Sequence, residues 1–236
     1  KLKLLREHYP AVVQATIDSS TAQELLSDCI SEIHCPANAG TQLDKLANTD
    51  NNRPLVTAAL CVPDDLCLLQ RRCDHYELIA GCVTAPSYWC LSDKIGLGLA
   101  AVHDNVPGLN DRLGQRMSAF FDRLPAERCL LRRNWFLHGS DKKFQPEPER
   151  RARIITAASA ANLTVRSETQ TFRRLSEDVI AFTILVDCYP LKQIKDYPAA
   201  ARALQSALKS RNENERLAAS QDHYETGVLA LLNEMF

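Results

Sequence analysis

Two sets of polar residues stand within otherwise apolar stretches and carry side chains suited to chemistry. His103 lies near the end of the stretch 89–108, and Arg166, Glu168 and Gln170 alternate along a later stretch. A neutral imidazole can hydrogen-bond within a core, exchange a proton or bind a metal ion. For one histidine on an apolar face, a hydrogen bond within the core is the default interpretation and metal ligation is the alternative.

The spacing around His103 predicts one short helix within residues 89–108. Ile95, Leu99 and Val102 recur at helical intervals in this stretch. His103 follows Leu99 by four residues, so the apolar face of the helix also carries the imidazole. We expect the helix to end at the Val-Pro-Gly turn that follows.

Residues 163–174 are predicted to form a strand with one unusually polar face. Alternate residues of a strand point to the same side, so Arg166, Glu168 and Gln170 share that face. Arg166 or Arg132 could supply a hydrogen-bond donor, Glu168 could hold a cation, and Gln170 could orient either. The plain alternative is that Arg166 and Glu168 only pair with each other or contact water.

The remaining patterns predict helices, two strands, helices, three strands and helices, in that order. Helices are expected at 22–33, 55–60 and 107–124 and, as two helices, from residue 198 onward, and strands at 65–72, 76–84, 129–138, 163–174 and 179–186. The apolar side of helix 107–124, with Met117, Phe120 and Phe121, is expected to be core rather than a cofactor site. Leu217 is assigned to the buried stripe of the last helices, and Trp135 to core packing.

Composition narrows the class of protein. Hydrophobic residues make up 45% and charged residues 24% of 236 residues, with a formal net charge of −1. These values are typical of a globular protein and give no reason to expect nucleic-acid binding. No apolar run is long enough for a membrane span. Nine cysteines without a C-x-x-C pair indicate reduced, mostly buried thiols and a cytoplasmic location.

The order of elements predicts an α+β fold. A strand pair, a helical insert and a three-strand meander form the order of a PAS-like domain, an antiparallel sheet whose insert closes a ligand cavity. The expected parts are an N-terminal helical segment at 1–60, the PAS-like core at 61–192 and C-terminal helices at 193–236, together one compact domain. His103 would then face a cavity lined by Arg132 or Asn134 and by the polar strand face.

Seven short stretches of this sequence also resemble the haem-dependent oxidative N-demethylase family. In the family's order they are DLCLL at 65–69, PSYW at 86–89, KIG at 94–96, VH at 102–103 with VPG at 106–108, RRNW at 132–135, FQP at 144–146 and RSETQTFRRL at 166–175. Each stretch alone is weak, but together they span about half of the chain and are specific. The resemblance implies a PAS-like domain that holds haem b.

The resemblance also implies residue roles and a reaction. His103 would be the proximal iron ligand. By the chemistry of their side chains, Lys94, Arg132 and Arg174 are candidates to bind the haem propionates, and Asn134 is a cofactor-binding candidate because it is expected to line the cavity. The implied reaction is a monooxygenase reaction, the oxidation of a small N-methylated amine by O2. A separate flavin and iron–sulfur reductase would supply the electrons. Catalytic roles fall to Arg166, Glu168 and Gln170.

A different class of function fits the same fold. A haem-binding PAS-type sensor or carrier would respond to its ligand by a conformational change and would oxidise no substrate. The carboxylate of Glu168 favours the enzyme, because a sensor has little use for a carboxylate beside bound oxygen.

Two positions depart from the family's pattern. Leu185 replaces a basic residue of the last strand and is expected to remove a polar contact. Ser176 stands where a proline is common.

Overall fold

Five antiparallel strands form one open sheet, and helices lie on both of its faces. The computed structural model describes residues 54–60, 62–103, 111–149 and 153–235. The predicted helix at 22–33 lies outside the described residues. The strands are β1 Asp65–Arg72, β2 His75–Cys82, β3 Cys129–His138, β4 Thr164–Arg174 and β5 Val179–Pro190.

The helices and strands of the described residues follow the predicted order, with one additional short helix between β3 and β4. The α-helices are α1 Pro54–Leu60, α2 Leu99–Val102, α3 Asp111–Asp122, α4 Ala157–Ala160, α5 Pro198–Ser210, α6 Glu213–Ala218 and α7 Glu225–Asn233, with 3₁₀ turns at Leu91–Asp93, Leu191–Asp196 and Gln221–His223. The C-terminal region thus has three α-helices, not the two predicted. None of the helices in the described ranges is long and apolar enough to cross a membrane.

The sheet has the strand order β2-β1-β5-β4-β3. Its two hairpins, β1–β2 and β4–β5, are joined by antiparallel pairing of β1 with β5, and β3 pairs with β4. The strand predicted at 76–84 occurs slightly earlier, at His75–Cys82, and the last strand runs four residues beyond its predicted end to Pro190. The result is a mixed α and β fold.

We call the sheet face that carries the even-numbered residues of β4 the inner face. The insert between β2 and β3 covers one half of it. Leu99, Val102 and Phe121 of the insert pack there against Leu78 of β2 and Phe172 of β4. The inner face is therefore apolar toward β2.

The outer face is covered by the elements at the two ends of the described chain. Leu55 and Ala58 of α1 pack against β1 and β2. The C-terminal helices pack against β3 and β4, where Trp135 contributes to the core and lies under the guanidinium of Arg211, 4.6 Å from the ring centre. Core packing of Trp135 is confirmed.

The single helix predicted within 89–108 is wrong. A 3₁₀ turn at Leu91–Asp93 is followed by Gly96, whose φ of 80° ends any helical path, and α2 begins only after Gly98. The intervening residues pair with the edge of β2: Gly96 N donates to Leu78 O at 2.8 Å, and Leu78 N donates to Leu97 O at 3.1 Å. Competition from this strand edge breaks the helix. Residues 104–108 lie outside the described part.

Three burial predictions are also wrong. Phe120 is 46% exposed, although its neighbours Phe121 and Met117 pack into the core as predicted. Leu217 is 53% exposed. Among the cysteines that the structure describes, Cys67 is buried, whereas Cys73 is exposed and the others are half-buried.

Candidate functional site

The polar residues of β4 form a buried row on the inner face. Arg166, Glu168 and Gln170, called the polar row from here on, are all nearly inaccessible to solvent. The next residue on this face is Phe172, which belongs to the cluster that packs against α2. The polar row therefore adjoins the apolar surface covered by the insert.

Neighbouring strands extend this surface on both sides. On β3, Asn134 lies directly opposite Glu168 and Arg132 opposite Gln170. Asn134 is half-buried and accepts a hydrogen bond from Trp135 N at 3.0 Å, whereas Arg132 is exposed. Both lie beside the polar row, as the sequence predicted.

Glu168 is the acidic centre of the row. Its Oε2 accepts a hydrogen bond from Gln170 Nε2 at 2.9 Å, and its Oε1 lies 3.8 Å from Arg166 Nε. Burial raises the pKa of the Glu168 carboxyl, and the bond from Gln170 and the charge of Arg166 only partly offset this shift. A cation that entered the row would therefore stabilise the ionised form of Glu168.

Arg166 uses most of its hydrogen bonds on the backbone. It donates from Nη1 to Lys143 O at 3.0 Å and from Nη2 to Ala85 O, and it is 0% exposed. Within the described residues its Nε has no hydrogen-bond partner. The guanidinium thus joins two loops, and only Nε remains directed toward Glu168.

The two loops that Arg166 joins also bond to each other. Tyr88 N donates to Gln145 O at 2.7 Å, and Gln145 N donates to Pro86 O at 3.2 Å. The ring of Tyr88 stacks on His138 with a centroid distance of 4.7 Å, and Tyr88 has a φ of 63°. Residues separated by fifty or more positions in sequence are thereby held at one end of the sheet.

Asp65 is a site residue that the sequence analysis missed. It is 1% exposed at the start of β1, and its Oδ1 accepts hydrogen bonds from Thr84 N at 2.6 Å, Thr84 Oγ1 at 3.0 Å and Ala85 N at 3.1 Å. Desolvation raises the pKa of Asp65, against the opposing effect of these bonds and of Arg166. An aspartate within DLCLL, in phase with Cys67 and Leu69, was the available signal.

His103 ends α2 with its imidazole held by the backbone. Its Nδ1 lies 2.7 Å from Leu99 O, one helical turn earlier, and the residue is half-buried. A carbonyl oxygen can only accept, so Nδ1 carries the proton and the lone pair is on Nε2. This is the tautomer in which a histidine presents Nε2 to a metal.

The two remaining candidates occupy different settings. Lys94 is 8% exposed, in the turn that follows Leu91–Asp93. Arg174 lies on the inner face but away from the polar row. Its guanidinium donates to Leu124 O at 2.9 Å, to Glu177 O at 2.6 Å and to Phe121 O, at the carboxyl end of α3. Arg174 is thus occupied in holding α3.

Leu185 does not affect the polar row. It pairs with Thr169 of β4, and residues opposite each other in a sheet point to the same face. Leu185 therefore lies on the outer face, and Val186 is the residue opposite Glu168. The expectation that Leu185 removes a polar contact from the site is wrong.

Fold and site together define a class of protein: a single antiparallel sheet with one face divided between a helical insert and the buried polar row. Residues 2–226 match the family described as haem-dependent oxidative N-demethylase, alpha subunit-like. The chain belongs to this family. No individually curated protein matches it in sequence.

Hydrogen bonds connect four of the stretches that resemble the family. Asp65 of DLCLL and Arg166 of RSETQTFRRL both bond to Ala85, which precedes PSYW. The backbone of Gln145 in FQP bonds to Pro86 and Tyr88 of PSYW. Among the described residues, no group of three or more histidine, cysteine, aspartate or glutamate side chains is placed to hold a metal ion.

Proposed function

We propose that this protein is a haem-dependent oxidative N-demethylase that acts as a monooxygenase on a small N-methylated amine, with His103 as the proximal ligand of haem b. The contact between His103 Nδ1 and Leu99 O at 2.7 Å carries the proposal, because it leaves Nε2 available for iron. In many haem proteins a single side chain binds the iron, so a haem site needs no cluster of ligating residues.

We propose a PAS-like arrangement for residues 61–192, with 1–60 and 193–236 as flanking helical parts. The strand pair, the insert and the three-strand meander support it, as does the packing of the insert against half of the inner face. The apolar cluster under the insert and the polar row would be the two parts of the inner face that line the site of a planar ligand.

The cofactor's carboxylates need cationic partners. Lys94 on the insert and Arg132 on β3 are the proposed partners, with Asn134 beside them. Arg174 is left out of this set, because its donors hold the end of α3. Bound haem would supply the reductive activation of O2 that oxidative demethylation requires.

The polar row would bind and orient the amine. A small alkylammonium would donate a charge-assisted hydrogen bond to Glu168, which Gln170 holds in place from the other carboxylate oxygen. Arg166 would fix the two loops beside the row and so maintain its shape. Burial of all three side chains keeps bulk water from competing with the substrate.

The proposal includes a partner and a location. Electrons would come from a separate flavin and iron–sulfur reductase, in agreement with the description of the family as an alpha subunit. We place the reaction in the cytoplasm, on the basis of the odd number of cysteines.

The test is turnover by the haem-loaded protein with a competent reductase and a panel of small N-methylated amines. We expect release of formaldehyde with at least one amine, and loss of most of it in Glu168→Gln. Haem binding without formaldehyde from any amine would contradict the enzyme. A gas-dependent change of oligomeric state in that case would favour the PAS-type sensor.

A further inference from the structure

Asp65 and Arg166 hold the same residue from opposite sides. Asp65 accepts hydrogen bonds from the Ala85 N–H, at 3.1 Å to Oδ1 and 3.3 Å to Oδ2, while Arg166 donates to the Ala85 carbonyl oxygen. Both side chains are buried on the inner face. Asp65 of β1 pairs with Ile184 of β5, which in turn pairs with Gln170 of β4. The carboxylate of Asp65 therefore borders the polar row.

These positions give the buried site three formal charges: negative on Asp65, positive on Arg166 and negative on Glu168. Arg166 and Glu168 alone would form a neutral pair, with 3.8 Å between Nε and Oε1. The negative charge of Asp65 also acts on both side chains: it attracts the positive charge of Arg166 and repels the negative charge of Glu168. The buried set therefore carries one uncompensated negative charge. Arg132 beside the row also acts on Glu168, but its side chain is exposed and its positive charge is screened by solvent.

An uncompensated buried charge is costly until a counter-charge reaches it. Burial raises the pKa of Asp65 and of Glu168, because the ionised form of each carboxyl loses its contact with water. A monovalent cation beside Glu168 would remove this cost. A neutral or anionic molecule of the same shape would not.

We propose that Asp65 is a positioning residue that sets the charge selectivity of the polar row. It compensates Arg166, and Glu168 is thereby left to a small cationic ligand of the alkylammonium class. This inference rests on the proposed function, because it takes Glu168 as the acceptor of the substrate's ammonium group.

The test compares two probes of similar shape: dimethylammonium, which is charged at neutral pH, and dimethyl ether, which is not. Their dissociation constants for the haem-loaded protein are measured by calorimetry. The wild type should bind the ammonium more tightly than the ether. In Asp65→Asn we expect about tenfold weaker ammonium binding and unchanged ether binding, since one buried unit charge is lost.

Two control variants separate charge from structure. Asp187→Asn removes the same charge from β5 on the outer face and should leave both affinities unchanged. Thr84→Val removes one hydrogen bond to Asp65 without changing its charge, and should preserve the preference for the ammonium. Equal weakening of both probes by Asp65→Asn would make Asp65 merely structural and overturn the inference.

A variant of opposite sign guards against a failure of Asp65→Asn to fold. Arg166→Gln leaves two negative charges but also loses the bonds to the two loops. The ratio of the ether to the ammonium dissociation constant should therefore rise even where both constants increase, whereas a purely structural role of the charged set predicts an unchanged ratio. Unchanged ammonium binding in Asp65→Asn, with formaldehyde release intact in the wild type, would overturn the role of Asp65 alone. A wild type that binds both probes equally would overturn this inference together with the role of Glu168.

Discussion

A buried side chain can bind a ligand only through donor or acceptor atoms that are not already hydrogen-bonded to the protein. Two nitrogens of Arg166 donate to the backbone, whereas Oε1 of Glu168 lies 3.8 Å from Arg166 Nε, beyond hydrogen-bond distance. This difference is the reason why we propose a framework role for Arg166 and a ligand role for Glu168. The same accounting assigns His103 a lone pair on Nε2.

Amine binding should depend on pH through Glu168. Burial raises the pKa of this carboxyl, so protonation begins at a higher pH than for an exposed glutamate. The protonated carboxyl has no charge to offer an ammonium, and affinity should therefore fall as the pH falls through the raised pKa. Calorimetric titration of an alkylammonium across the acidic range measures this.

Glu168→Gln is the matching substitution. We expect it to weaken ammonium binding by about 2 kcal/mol, the contribution of a hydrogen bond to a charged group, and to flatten the pH dependence. Glu147→Gln, an exposed loop residue, is the control and should behave as the wild type. A flat profile in the wild type would show that Glu168 does not hold the amine.

Alternation along β4 was enough to predict which residues share the inner face, but not what each one bonds to. The partners of Arg166 are carbonyl oxygens of residues 85 and 143, and nothing in a local pattern specifies such distant loops. Asp65 was overlooked for the same reason, since its role arises from contact with Thr84 and Ala85.

At the scale of elements, side chains reach their predicted places even where the predicted helix is absent. Ile95, Leu99 and Val102 pack into one cluster with β2 and β4, although a turn separates the first from the other two. The spacing of apolar residues predicts which side chains are buried. It does not predict that the backbone of Gly96 and Leu97 forms hydrogen bonds with the edge of β2 and not within a helix.

Arg174 should stabilise α3 rather than bind a cofactor. Its guanidinium holds the backbone oxygens of Phe121, Leu124 and Glu177, of which the first two end α3 and its following turn. Arg174→Ala should lower the free energy of unfolding by about 2–4 kcal/mol, measured by denaturant titration. Arg173→Ala, next along the strand, is the control with a small expected change. Full stability of Arg174→Ala would contradict this role.

Gly227 permits the close approach of α7 to the segment before α4. A Cβ at this position would lie 2.8 Å from Ile154 Cγ2 and 2.9 Å from Thr156 O. Gly227→Ala should therefore destabilise the protein by about 1–3 kcal/mol in thermal unfolding. Thr226→Ala, at the exposed neighbouring position, should change little. Equal stability of the two variants would argue against this packing.

At the scale of the whole molecule, the order of elements determined what could be predicted. Two hairpins and a long helical insert restrict the sheet to few arrangements, and the observed sheet is antiparallel throughout. The layers on the outer face were less predictable, because the end elements cover it by contacts that are distant in sequence. Trp135 with Arg211 is one such contact.

The central claim, haem held by His103, is tested most directly by one absorption spectrum. After haem b is added, the wild type should show a stoichiometric Soret band that shifts on reduction and on addition of carbon monoxide. His103→Ala should lose this band while it keeps the fold, and added imidazole should restore the band in His103→Gly. His223→Ala, an exposed histidine, should retain it. Undiminished stoichiometric haem binding by His103→Ala, with the wild-type spectrum, would contradict the assignment.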